Sequence, residues 1–270
     1  SNNAQIPVVY GERLLGGTRV FLQTSGTDNT YLYVALVLCE GEINGITQIR
    51  VNDSAVTFSG SFAHNTEITS NDSKYGTTIK AQPFFGTDDQ PASSTLTTLS
   101  NWGSNHKLSG LCYVAFRFEW NSDKYTGIPN IKVRVQGKKI STFDGSSNET
   151  TGQYSTNPAF VLLDFMRNER YGKGIPLSEI DIPSFFTASQ VADTTVTYFT
   201  GKLFECHAVL STNKKILDNV KTLLKGMRGL LPYVQGKYKL IIETTGSASF
   251  TLNEDNIIGA TANIGSYQIG

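Results

Sequence analysis

The run Leu32–Cys39 (LYVALVLC) constrains the fold more than any other stretch of the chain. Eight consecutive apolar residues, several of them β-branched or aromatic, read as a strand buried on both faces. Gly41 and the Asn44-Gly45 pair follow it, and an Asn-Gly pair is a strong signal for a tight turn. Ile46–Val51 (ITQIRV) then reads as a second strand. The opening of the chain is therefore β-rich.

Further strands continue the pattern. In Leu111–Trp120 (LCYVAFRFEW), alternation places Cys112, Val114, Phe116, Phe118 and Trp120 on one face, so Trp120 is expected in the core. Ile131–Val135 alternates as well, with Lys132 and Arg134 facing out. Between these pairs of strands, residues 52–105 are dominated by Ser, Thr, Asn, Asp and Gly, with apolar islands at Ile79–Ala81 and Phe84-Phe85. That composition predicts a loop-rich insertion that decorates the β module. Its Trp102, Phe84 and Phe85 are the candidate partner contacts, since exposed aromatics serve as anchors. The polar stretch Ser141–Thr156 reads as a domain linker.

The second half changes to helical signals. Asn157-Pro158 opens a helix, with Asn as N-cap and Pro in the first turn, and Gly172 is the expected stop. A shorter helix is expected from Ser184, carrying Phe185, Phe186 and Val191. A third spans Asn213–Arg228, capped by Thr212, with Ile216, Leu217, Val220, Leu223, Leu224 and Met227 in one stripe and Gly229 at its end. Leu230–Glu243 reads as a hairpin turning at Gln235-Gly236. Phe250, Leu252, Ile257 and Ile258 begin another β-rich stretch, and the sequence reads as a piece of a longer protein. The fold class is α+β: a β-rich module over 5–145 with the insertion 52–105, an α/β module over 155–245, and the start of a second β module over 246–270.

Charge and composition narrow the function. Lys+Arg and Asp+Glu both number 23, so the chain lacks the basic excess of a dedicated nucleic-acid binder, and no sequence-specific nucleic-acid partner is expected. No apolar stretch approaches the length of a membrane span, so no membrane insertion by this segment is expected. Cys39, Cys112 and Cys206 are widely spaced, which suits reduced, buried thiols. His64, His106 and His207 lack metal-ligand spacing, and Cys206-His207 would point to opposite faces of a strand. Glu40 and Glu42 could form a carboxylate pair of glycosidase type, but a solvated turn accounts for them better. The residues assemble no catalytic constellation, and no cofactor or metal is expected.

Four segments, in order, carry a resemblance. Ile6–Val20 (IPVVYGERLLGGTRV), Tyr33–Asp53 (YVALVLCEGEINGITQIRVND), Asn157–Ile175 (NPAFVLLDFMRNERYGKGI) and Phe204–Glu243 resemble the N-terminal hub region of the tail tip, or tip attachment, proteins of lambda-like long-tailed phages. The shared patterns are "YG…GG", "EGEI.GI..I.VND", "NPA…L.D.L….YG.G" and "RG.LPY..GKY.L.IE". The insertion 52–105 matches poorly. The resemblance implies a tail-tube-like barrel in the β-rich module. It further implies a non-enzymatic component of the virion, assembled in the host cytoplasm, that caps the tail tube. A homotrimer contacting tail tube, distal tail and tape-measure proteins is the implied assembly, with host recognition further along the protein. A carbohydrate- or receptor-binding adhesin using Trp102 is the alternative of a different class, and a cell-wall hydrolase is a third.

Overall fold

The computed structural model describes residues 5–198 and 200–244, so the stretch from 246 onward, expected as a second β module, lies outside the described residues. The chain begins with β1 (Val8–Tyr10), β2 (Glu12–Leu15), β3 (Thr18–Ser25), β4 (Tyr31–Glu40), β5 (Ile43–Val51) and β6 (Ser54–Val56). It continues with β7 (Ile68–Thr69), β8 (Ile79–Phe85), β9 (Leu111–Glu119), β10 (Ile131–Lys138), β11 (Ile140–Phe143) and β12 (Glu149–Gln153). Helices α1 (Pro158–Arg167) and α2 (Ile182–Ala192) precede β13 (Ala208–Leu210), and α3 (Ile216–Gly226) leads into β14 (Gly229–Leu230), β15 (Tyr233–Val234), β16 (Lys237–Tyr238) and β17 (Ile241–Ile242).

The larger sheet has seven strands in the order β13-β1-β4-β9-β8-β7, with β3 also pairing β4. The smaller runs β2-β10-β5-β6. The predicted double burial of Leu32–Cys39 arises from what lies on each side of β4. Val34, Leu36 and Leu38 point at Ile43, Ile49, Val133 and Val135 of the smaller sheet, within one cluster of buried side chains. Tyr33, Ala35 and Val37 point the other way, onto Leu96, Leu99 and Trp102. Period-two alternation with both faces covered leaves no polar position, which is why the run is continuous.

That second layer corrects the expectation for residues 52–105. They are no decoration: β8 pairs with β9 along its whole length, from Ile79↔Phe118 to Phe85↔Cys112, and the polar stretch after it roofs the outer face of the sheet. Buried amides fasten this roof. Gln82 accepts from the Ser93 hydroxyl at 2.6 Å, and the Gln90 side chain donates to the carbonyls of Lys107, Leu108 and Leu111. Each is at most 2% exposed, so the Ser, Thr and Gln content supplies hydrogen bonds to a buried backbone. Polar composition here marks satisfied irregular structure, a possibility that composition alone does not separate from a loop.

The helical region packs on one end of the large sheet. Asn157 caps α1 as expected, accepting from Ala159 N at 3.1 Å, and its amide also donates to Ser189 O of α2 at 3.0 Å. The helix ends at Arg167, before Gly172, whose absent side chain leaves room for the Phe165 carbonyl. α2 starts at Ile182, with Asp181 as N-cap, two residues ahead of the expected Ser184. The expected linker is a hairpin, β11-β12, whose Ile140 and Phe143 enter the helical core. The hairpin β15-β16 turns at Gln235 and Gly236, both at positive φ (52° and 77°), as a two-residue turn of mirror type requires.

α3 begins at Ile216, three residues later than expected, with Lys215 rather than Thr212 at its cap. Its stripe is split: Val220, Leu223 and Met227 are buried, while Leu217 is 59% exposed. Leu223→Ala should therefore destabilise the chain by about 2–5 kcal/mol, whereas Leu217→Ala should stay within about 0.5 kcal/mol. Urea denaturation of the two variants checks the division, and equal midpoints would place both on one face.

Candidate functional site

The segments that carry the resemblance meet in space. Tyr10 of β1, Lys138 of β10, Asp164 of α1 and Tyr171 form one polar cluster at the seam between the strands and the helices. The Tyr10 hydroxyl donates to Asp164 Oδ2 at 2.6 Å and lies 3.5 Å from the Tyr171 hydroxyl. Lys138 Nζ reaches both Asp164 oxygens at 3.0 and 2.8 Å, and sits 5.4 Å from the centre of the Tyr171 ring. Burial and the Asp164 carboxylate push the Tyr10 phenol well above its ordinary value, so it stays a donor. Burial lowers the Lys138 ammonium, but Asp164 and Tyr171 together outweigh this and the net shift is upward. Beside the cluster, Arg170 Nε binds Glu40 Oε1 at 2.8 Å, tying the end of β4 to the turn after α1.

The chain passes closely here, and glycine permits it. Gly11 has a φ of +65°, and a Cβ on it would lie 2.2 Å from the Cys206 carbonyl. His207 follows, its Nδ1 accepting from Glu12 N at 2.9 Å. That histidine caps a backbone donor and partners no thiol chemistry. Burial pushes the Cys206 thiol up to about 12, which suits an inert residue. Cys39 and Cys112 face each other across β4 and β9, both buried and free. The two glutamates considered as a pair are engaged elsewhere, Glu40 with Arg170 and Glu42 with Lys139 at 2.6 Å. Among the described residues no group of three or more His, Cys, Asp or Glu could hold a metal ion. The seam ties the strands to the helices through a charge pair and two phenols.

The expected partner contacts need correction. Trp102 is 4% exposed, packed edge-on against Phe21 with ring centres 5.1 Å apart, and Phe84 is fully buried, stacked on Tyr113 at 4.4 Å. Both are core side chains of the roofed face and present no surface to a partner. Phe85 is half-buried beside His64, which accepts from its backbone N at 3.0 Å. Trp120, expected in the core, is instead 53% exposed. Alternation failed there because β9 ends at Glu119 and Trp120 lies one residue past the pleat, its N–H donating to Thr30 O at 2.7 Å. Ile128 (57% exposed) and Leu22 (46%) are further exposed apolar residues nearby in the fold, and Trp120, Tyr125 and Ile128 line a cleft of about 240 Å³ with Leu32, Phe118 and Pro129. Leu22 belongs to β3, which pairs with β4 on one side and with no described strand on the other. The half-exposed Trp120 with its cleft and the unpaired edge of β3 are two separate places where a neighbouring chain can add.

No protein-family model matches the chain. The chain is 22% identical to the baseplate hub protein pb3 of Escherichia phage T5 over a 314-residue alignment, which covers 92% of this chain and 33% of that protein. It is 27% identical over 173 residues to the tip attachment protein J of Escherichia phage SECphi27, covering 57% of this chain and 14% of that protein. A chain from the virion of a native gene transfer agent particle has the same general fold, with a TM-score of 0.52 and 13% identity over 89% of this chain and 53% of that one. The chain thus spans about a third or less of the curated relatives it matches. The chain is thus similar to phage tail tip and baseplate hub proteins, and its β-rich architecture with three helices among the described residues is consistent with a phage tail module.

Proposed function

We propose, from its likeness to phage hub and tip attachment proteins, that this chain is a structural subunit of a tail tip that caps the tail tube and links it to the host-recognition apparatus. The observation that carries the reading is the alignment with a baseplate hub protein over 92% of the chain. The polar seam is consistent with it, since Tyr10, Asp164 and Tyr171, from the segments that carry the resemblance, join the strands to the helices. In this reading the protein is not an enzyme, its two packed sheets act as a tail-tube-like barrel, and three copies close a ring that contacts tail tube, distal tail and tape-measure proteins. A ring needs two different surfaces on each copy, and in this reading the exposed Trp120 belongs to one of them and the free β3 edge to the other.

Gold-labelled antibody against the chain should mark the tail tip of intact virions, and labelling along the tube or on the head would overturn the assignment. Sedimentation of the purified chain over a range of concentrations should show a trimer. Trp120→Ala should weaken that association by about 2 kcal/mol, roughly thirtyfold, as loss of an aromatic anchor does. Its melting temperature should change little, because the ring is half in solvent.

A further inference from the structure

Cys39 and Cys112 stand directly opposite each other in the β4-β9 ladder, just past the register shift that follows Val37. Both are fully buried and free, and both belong to the cluster between the two sheets, so their thiols share one face. Residues opposite in an antiparallel ladder have Cα atoms about 4.5–5.5 Å apart. That lies inside the range of about 4.4–6.8 Å that a disulfide spans. The third cysteine, Cys206, lies in the helical core. A small apolar side chain would fill either position, but two thiols in register can also join.

The pair sits where the ladder ends. Cys39 is the last residue but one of β4, and Cys112 is the second of β9. Just beyond them Gly41 N donates to Gly110 O at 2.8 Å, and the absent side chain of Gly86 leaves room for the Gly41 carbonyl. Strand ends open more readily than strand centres, so a small oxidant reaches the sulfurs without global unfolding. Burial, and after it the neighbouring Cys39, pushes the Cys112 thiol well above its ordinary value. The reduced pair therefore stays protonated and exchanges slowly, since the thiolate is the nucleophile.

We propose that Cys39 and Cys112 form a redox modification site that closes to a cross-strand disulfide when the chain meets a low-molecular-weight disulfide such as oxidised glutathione. One cysteine thiolate attacks a sulfur of the small disulfide and expels a thiolate. The other cysteine then attacks the protein sulfur of the mixed disulfide and expels the second. The pair loses two electrons and two protons, and the small disulfide becomes two thiols. The bond closes a loop that holds β5, β6, β7 and β8, and it pins β9 to β4. On the tail-tip reading it forms once the particle leaves a reducing cytoplasm; that timing rests on the reading, whereas the bond does not.

The full chain, incubated with oxidised glutathione, alkylated in denaturant and digested with trypsin, should yield Val20–Arg50 joined to Leu108–Arg117. Its melting temperature should rise by about 5–10 °C and return on reduction. Cys39→Ala and Cys112→Ala should each show no rise on oxidation, whereas Cys206→Ala should rise as the parent does. Recovery of the two peptides alkylated and unlinked, a bond to Cys206, a persistent glutathione adduct, or a crosslink without the rise overturns the proposal. None of these outcomes touches the tail-tip assignment, which the antibody labelling decides.

Discussion

Replacing residues 54–104 by a short Gly-Ser linker should give a chain with no cooperative thermal transition. The replaced stretch supplies β8, which lies between β7 and β9 in the large sheet. Its loss strips one whole ladder from β9 and uncovers Tyr113 and Phe116, both fully buried in the intact chain. It also removes Tyr75, whose hydroxyl donates to Val51 O at 3.0 Å, together with Ile79, Phe84, Leu96, Leu99 and Trp102. At about 1.5–3 kcal/mol for each large buried side chain, these six alone represent about 9–18 kcal/mol. A domain of this kind has a total margin of about 5–15 kcal/mol. Loop-closure entropy, which makes true insertions cheap to delete, is a far smaller quantity at about 0.6 kcal/mol per doubling of length. Thermal melting followed by circular dichroism and dye binding checks the outcome. A sharp transition in the shortened chain would mean that β9 closes the sheet by itself.

A sequence displays periodicity and local caps more plainly than burial. Strands β9 and β10 are legible because their side chains repeat with the pleat, β4 because its apolar run is unbroken, β5 because turn residues set it off, and the Asn157-Pro158 cap because its geometry is local. β8 was not, since IKAQPFF interrupts its apolar residues with Gln82 and Pro83, and Gln82 is buried by partners distant in sequence. The same reasoning inverted the two tryptophans. Trp102 sits among polar residues yet beneath them, and Trp120 follows an alternating strand yet beyond its end. Composition reports the neighbours along the chain, whereas burial depends on neighbours across it. The seam was invisible for a further reason. Tyr10, Lys138, Asp164 and Tyr171 are separated by up to 161 residues, and only the fold brings them together.

Asp164→Ala should cost more stability than any other single change at the seam. The carboxylate is 15% exposed and is the partner of both the Lys138 ammonium and the Tyr10 hydroxyl. Removing it leaves a largely buried cation and a buried phenol without their acceptor. Breaking a buried pair from one side costs about 3–5 kcal/mol, and the remaining solvent access brings the expectation to about 2–4 kcal/mol here. Replacing both charges, with Lys138→Met and Asp164→Leu, should recover much of that loss, because no uncompensated charge then remains. The pH dependence has a definite sign. Lys138 and Tyr10 are both raised from ordinary values of 10.5 and 10.0, so the folded state holds their protons more tightly than the unfolded chain. Their contribution is fully present below about pH 10 and is lost as the pH rises through the folded values. The parent should therefore lose stability steeply in alkali, and Asp164→Ala should lose less, since Lys138 no longer has its partner. Chemical denaturation midpoints of parent, single and double variants at neutral pH and above pH 10 decide it. A double variant no better than the single one would show that the seam is held by shape, with the charges incidental.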